Sequence, residues 1–121
     1  MDNKQNILKE KSYTFAVRMV KFYQFLKNEK KEFVLSKQVL RSGTAIGALI
    51  EEALQGESKS DFIHKLSIAN KEANETRYWL RLLRDTDFID EKLTTSLIFD
   101  VEELIKILVS TIKTSKQNNK K

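Results

Sequence analysis

The chain has one histidine and no cysteine, which narrows the chemistry it can do. His64 follows Asp61 by three residues, a spacing that puts both side chains on one face of a helix. Di-iron bundles use a Glu-x-x-His motif on each of two helices. Asp61-Phe-Ile-His64 offers one such motif with a shorter acid, and no second histidine exists to complete the set. No metal site and no cofactor is expected. A serine triad fails on the same ground, because His64 is the one side chain whose ordinary pKa suits a base. The carboxylate pairs Glu51-Glu52 and Glu102-Glu103 are adjacent in sequence. Neighbours in a helix point about 100° apart, so neither pair shares a proton readily. The segment SGTAIG, from Ser42 to Gly47, lacks the lysine of a phosphate loop and sits inside a helical pattern. No catalytic residue is assigned, and an enzyme is not expected.

The basic residues are more suggestive. Arg77, Arg81 and Arg84 fall at i, i+4 and i+7 and so form one stripe. Lys4, Lys11 and Arg18 are seven apart, with Lys21 close to one turn beyond Arg18. Arginine matches phosphate geometry bidentately, and such stripes repeated around an oligomer could hold a nucleic-acid backbone. Lys11, Arg18, Lys21, Arg77, Arg81 and Arg84 are thus the candidate nucleic-acid-binding residues. The competing reading is structural: Arg81 can pair with Asp85 at i+4, Lys11 with a nearby acid, and many lysine stripes merely solubilise. The formal net charge of +5 permits either. Tyr78 and Trp79 could stack on bases, but a tryptophan one residue off a helix seam more often packs at a core edge or a subunit interface.

These residues need elements to carry them. The 121 residues suit one domain, and the absence of proline with only three glycines favours long helices over strands. Leu8, Phe15, Met19, Phe22 and Leu26, with Ser12 at the missing step, mark a helix from about Asn6 to Asn28. The charged run from Asn28 to Glu32 reads as a solvated loop. A second helix runs from about Ser36, a candidate N-cap, to Leu54, with Gly56 placed to cap its end. Ser58 and Asp61 resemble a capping box, and Phe62, Leu66, Ala69, Ala73, Thr76, Leu80 and Leu83 give a third helix an unbroken seam. Asp90 is placed to cap a fourth, running to about Thr114, with Leu97, Val101, Leu104 and Leu108 as its seam. The expected fold is all-α, an antiparallel up-down-up-down four-helix bundle over residues 1–114, with residues 115–121 a basic, disordered tail. Inside the second helix, Gly43 and Gly47 each cost roughly 1 kcal/mol relative to alanine. With Arg41 and Ser42 they form a helix-packing motif, because the missing side chains allow close approach of another backbone.

The apolar arc of the fourth helix is nearly twice the stripe of about 100° that a monomer needs. The first helix carries Tyr13, Val17, Val20 and Tyr23 beside its main seam. Self-association is therefore expected. The N-terminus has no apolar run that would make a signal peptide, and no stretch approaches the roughly 18 apolar residues of a membrane span. Together with the lack of cysteine, this points to the cytoplasm and to no membrane partner.

Three segments resemble the four-helix-bundle proteins of the 23S rRNA intervening-sequence family. They are LSKQVLRSGTAIGALIEEALQGESKSDFIHKLSIANKEANETRYWLRLL from Leu35 to Leu83, the N-terminal KSYTFAVRMVKF, and the ending LIKILVSTIKTSK. The family's central pattern runs approximately LxxQLLRSGTSIGANIxEA and then SxxDFxxKLxIAxKEAxETxYWLxLL. This chain departs from it with Val39 in the leucine pair, Ala45 for serine, and Ala48-Leu49 for alanine-asparagine. The resemblance implies an antiparallel four-helix bundle, ribosomal-protein-like, assembled as a homopentamer. It implies no catalytic residues. On matching positions it implies packing and inter-helix hydrogen bonding for Arg41, Ser42 and Gly43, and it leaves Arg77 and Arg81 at variable positions. A related bundle is the accessory protein of diversity-generating retroelements, which binds a reverse transcriptase and nucleic acid through a basic pentamer surface. The expected partners are further copies of the chain together with structured RNA or a ribonucleoprotein. The alternative is a protein scaffold whose partner is a reverse transcriptase.

Overall fold

A computed structural model describes residues 3–119. Four helices account for nearly all of it: α1 (Asn3–Asn28), α2 (Leu35–Leu54), α3 (Lys59–Asp85) and α4 (Glu91–Asn119). There is no strand among the described residues. Short connections force neighbours to run antiparallel. Each helix touches two others: α2 lies between α1 and α3, and α4 between α3 and α1, so α1 and α3 stand on one diagonal of the bundle and α2 and α4 on the other. The pair α1 and α4 meets least closely. No helix among the described residues is long and apolar enough to cross a membrane.

The expected seams are the buried ones. Leu8, Phe15, Met19, Phe22 and Leu26 of α1 face Val39, Ile46 and Ile50 of α2, Leu66, Leu80 and Leu83 of α3, and Leu97, Val101, Leu104 and Leu108 of α4 in one core. Ser12, the small residue in the α1 seam, is 1% exposed, and Gly47 explains its size. A Cβ added at Gly47 would stand 3.3 Å from the Ser12 carbonyl oxygen and 3.5 Å from its Oγ. A Cβ at Gly43 would collide with Met19, whose side chain lies across it at 2.5 Å. The two glycines are where α1 is drawn onto α2. On the other side of α2, the buried hydroxyls of Ser42 and Thr76 are hydrogen-bonded at 2.9 Å. Thr76 also reaches the Glu72 carbonyl at 2.8 Å. Arg41 bridges Glu72, at 3.2 Å, and Glu75, and Glu75 in turn accepts from Trp79 Nε1 at 2.9 Å.

The helix ends differ from expectation in four places. Ser36 does not cap α2: its side chain is buried and its Oγ donates to the Glu32 carbonyl at 2.8 Å. The cap is the Glu32 carboxylate, whose Oε1 accepts from the backbone N–H groups of Val34 at 3.1 Å and Ser36 at 2.7 Å. Glu32 is consequently buried, so the run from Asn28 to Glu32 is not wholly a solvated loop. Gly56 follows α2 but has no positive φ. It is small because a Cβ would lie 2.7 Å from the Asp61 carboxylate. Residues 115–119 of the expected tail continue α4. Lys113 and Lys116 sit near that helix's C-terminus, where cations interact favourably with the helix dipole. Residues 120–121 lie outside the described part of the chain.

Three ends match the sequence or complete it. Ser58 Oγ accepts from Asp61 N at 3.0 Å, and Asp90 Oδ1 accepts from Leu93 N at 2.8 Å. At the end of α3, Asp87 takes the left-handed conformation (φ 67°), with Asp87 N bonded to the Arg84 carbonyl and Phe88 N to the Leu83 carbonyl. That is the paired pattern of a Schellman termination, with aspartate in the position glycine usually fills.

The close approach at Gly47 yields a direct prediction. Gly47→Leu must push α1 away from α2 and should lower stability by about 2 kcal/mol or more, despite the better helix propensity of leucine. Urea denaturation followed by circular dichroism measures it. An unchanged or raised midpoint would show that the two helices are not in close register here.

Candidate nucleic-acid interface

Lys4, Lys11 and Arg18 of α1 are engaged along the seam with α4. Lys4 Nζ donates to Ser110 Oγ at 2.6 Å. Lys11 pairs with Glu103 at 3.1 Å. Arg18 binds Asp100 at 2.6 Å and Ser96 Oγ at 2.7 Å. The spacing of seven on α1 (4, 11, 18) meets the same spacing on α4 (110, 103, 96) in antiparallel register. These long side chains span the one helix pair that is loosely packed, so Lys11 and Arg18 serve there as interhelical clasps with their charges matched by acids. Lys21 is exposed on α1. Because α1 and α3 lie on a diagonal, the structure does not join the α1 stripe to the arginines of α3.

The α3 arginines have mixed surroundings. Arg77 Nη1 pairs with Glu102 at 3.2 Å, and its Nη2 donates to Asn74 Oδ1 at 2.8 Å. Arg84 grips Asp85 with Nε at 2.8 Å and Nη2 at 3.4 Å. That hydrogen bond holds the Asp85 carboxyl below its usual range, and the charge of Arg81 adds to the effect. Arg81 is exposed and forms no ion pair among the described residues. Of the three, it is the one most available to a ligand.

Beside this stripe is a feature that the sequence reading missed. Lys71 of α3 and Lys113 and Lys116 of α4 line a groove of about 610 Å³ with Ser67, Asn70, Val109, Ile112 and Gln117. No acid lines it. Lys106 precedes Lys113 by seven residues and therefore shares its side of α4. The Arg77–Glu102 pair fixes α3 against α4, so the groove and the arginine stripe belong to one face. The Asn70 Oδ1 atom is buried at the groove without a hydrogen-bond partner among the described residues. The signal was present in the sequence, since no acid follows Glu103. The pattern alone reads as a helix end and a tail, and the continuous helix is what turns those lysines into a surface.

Chemically, an acid-free row of ammonium groups over a partly apolar floor suits phosphates. The lysines act as point charges and the exposed arginine as a bidentate donor. No group of His, Cys, Asp and Glu that could hold a metal occurs among the described residues, and His64 is exposed. Tyr78 is half exposed and meets Trp79 edge-on at 5.1 Å. Trp79 packs against the core.

A family model described as 23S rRNA-intervening sequence protein matches residues 4–110. A crystal structure of a protein with unknown function from the S23 ribosomal protein family of Bacteroides thetaiotaomicron is 57% identical in sequence. It superimposes with a TM-score of 0.90 over 91% of this chain and 98% of that one. No curated protein matches the chain.

The clasp between α1 and α4 is testable apart from any ligand. Arg18→Ala should lower stability by about 1 kcal/mol or less, and by less still in about 1 M salt, where exposed ion pairs are screened. Chemical denaturation at two salt concentrations checks this. A loss that grows with salt would contradict the ion-pair account.

Proposed function

The chain belongs to the 23S rRNA-intervening sequence protein family, and we propose that it is a non-enzymatic, homo-oligomeric bundle that binds structured RNA or a ribonucleoprotein. The contact is made by the α3–α4 face. The single observation that carries this reading is the groove of Lys71, Lys113 and Lys116, which no acid lines, with the exposed Arg81 ten residues further along α3. Lys11 and Arg18 of α1, by contrast, are matched by acids on α4. RNA is favoured over an anionic protein because several cations share one groove that no acid lines, as a polyphosphate backbone requires. The name of the family supports an association with ribosomal RNA.

Self-association is supported by a different surface. Tyr13, Val17 and Val20 form an exposed apolar stripe on α1 at 70%, 39% and 42% exposure, and Phe99 on α4 is 68% exposed. An outward row of this kind, facing away from the core, marks a protein contact. The occupant is a further copy of the chain, and a pentamer is the assembly that the resemblance implies.

Fluorescence anisotropy with a labelled RNA hairpin tests the RNA reading. The logarithm of the affinity should fall linearly with the logarithm of salt. Reversing Arg81, Lys113 and Lys116 to glutamate should cut affinity at least about tenfold and flatten the slope by roughly one unit per cation removed. Binding that is absent, or indifferent to salt and to these changes, would refute it. Light scattering tests the oligomer: the mass should be a multiple of the 14.1 kDa chain, and Val17→Glu with Val20→Glu should reduce it. A 14.1 kDa species at micromolar concentration would refute self-association.

A further inference from the structure

The connection between α1 and α2 holds two large apolar side chains in solvent. Phe33 is 51% exposed and Val34 is 70% exposed. Such exposure is unremarkable in a floppy loop, but this loop is fixed at every step. Lys31 takes the left-handed conformation (φ 54°), which is uncommon for a side-chain-bearing residue and turns the chain sharply after α1. Glu32 N is bonded to the Leu26 carbonyl at 2.9 Å. The Glu32 side chain turns inward to cap α2 through Val34 N and Ser36 N, and the buried Ser36 hydroxyl returns a bond to the Glu32 carbonyl. The turn therefore sets Phe33 and Val34 outward as a preorganised tip.

The charged groups that flank the tip directly are cations, while Glu29 is the exposed acid of the turn. Glu32, the acid next to Phe33, is buried within the turn. Lys31 and Lys37 are exposed on either side of it, and Lys27 lies one turn back on α1. None of the three forms an ion pair among the described residues. Lys30 instead lines a cleft with Asp87 and Asp90 of the α3–α4 connection. That cleft also shows that the loop shares an end of the bundle with the C-terminus of α3, where Arg81 and Arg84 lie.

We infer that this loop is a base-stacking tip: Phe33 stacks on an unpaired RNA base while Lys31 and Lys37 hold the flanking phosphates. The inference rests on the RNA reading above and narrows it to RNA with single-stranded nucleotides, presented at the end of the α3–α4 face. An aromatic ring framed by cations is the arrangement by which proteins bind unpaired strands, and one ring suffices for one base. A lipid surface fits less well, since interfacial binding scales with buried apolar area and one phenylalanine with one valine offer little of it.

The test compares two labelled RNAs in anisotropy titrations, a 16-nucleotide oligouridine and a blunt duplex of the same length. Phe33→Ala should weaken oligouridine binding about tenfold or more and leave duplex affinity and the salt slope unchanged. Phe33→Tyr should restore binding. The side chain is exposed, so an unchanged melting temperature is expected and confirms that the variant is folded. Equal oligouridine affinity for wild type and Phe33→Ala overturns the inference and leaves the RNA reading standing. So does an equal loss on both RNAs, because stacking is specific to unpaired bases. Failure of the wild type to bind either RNA overturns both. Sedimentation of the wild type with phosphatidylserine vesicles, abolished by Phe33→Ala while RNA affinity is untouched, overturns it in favour of a membrane.

Discussion

The close approach of α1 to α2 is the constraint on which the rest of this bundle depends. Gly47 admits the backbone of Ser12, and Gly43 admits the side chain of Met19. Because α1 is drawn to α2, it meets α4 less closely, and that seam is bridged by the long side chains of Lys4, Lys11 and Arg18. The same helix α2 is tied to α3 by the Ser42–Thr76 hydroxyl pair and by Arg41 across Glu72 and Glu75. A short run of residues, Arg41 to Gly47, thus organises contacts on both sides of one helix. The residues that make this stretch recognisable are packing residues, which is why it identifies a family and says little about a ligand.

The placement of charge follows from the packing. Lys4, Lys11 and Arg18 close the α1–α4 seam, and the acids Asp100 and Glu103 that answer the last two lie on that side of α4. Further along α4, past the last of its acids, Lys113 and Lys116 line a groove shared with α3. Arg77 and Arg84 are partly neutralised by Glu102 and Asp85, which leaves Arg81 and the lysines as the free cations of the face. Some cations thereby serve a structural seam, and others an accessible surface. The proposed contact with RNA uses the second.

Much of the fold was legible because helix seams repeat. The apolar core residues of α1, α3 and α4 are those that the four-three spacing selected, except that Phe62 is only partly buried, and Ser58 and Asp90 cap as their types and positions suggested. Two kinds of feature were not legible. Caps supplied from a distance, as by Glu32 over the start of α2, depend on loop conformation rather than on the residue at the cap position. The surroundings of a cation depend on which helices are neighbours: nothing in the spacing of Lys4, Lys11 and Arg18 told that Ser110, Glu103 and Ser96 would repeat the same interval against them. The lysine groove was hidden for a related reason. Its three cations come from two helices far apart in sequence, and two of them lay where the apolar pattern of α4 fades.

The central claim is that RNA contacts the α3–α4 face and not the α1 seam. Ultraviolet crosslinking in cells, followed by mass spectrometry of the RNA-linked peptides, locates the contact directly. The account predicts crosslinks in peptides that carry Lys71, Arg81 and the α4 segment from Lys106 to Lys116. Crosslinks confined to α1, or none above background, would contradict it.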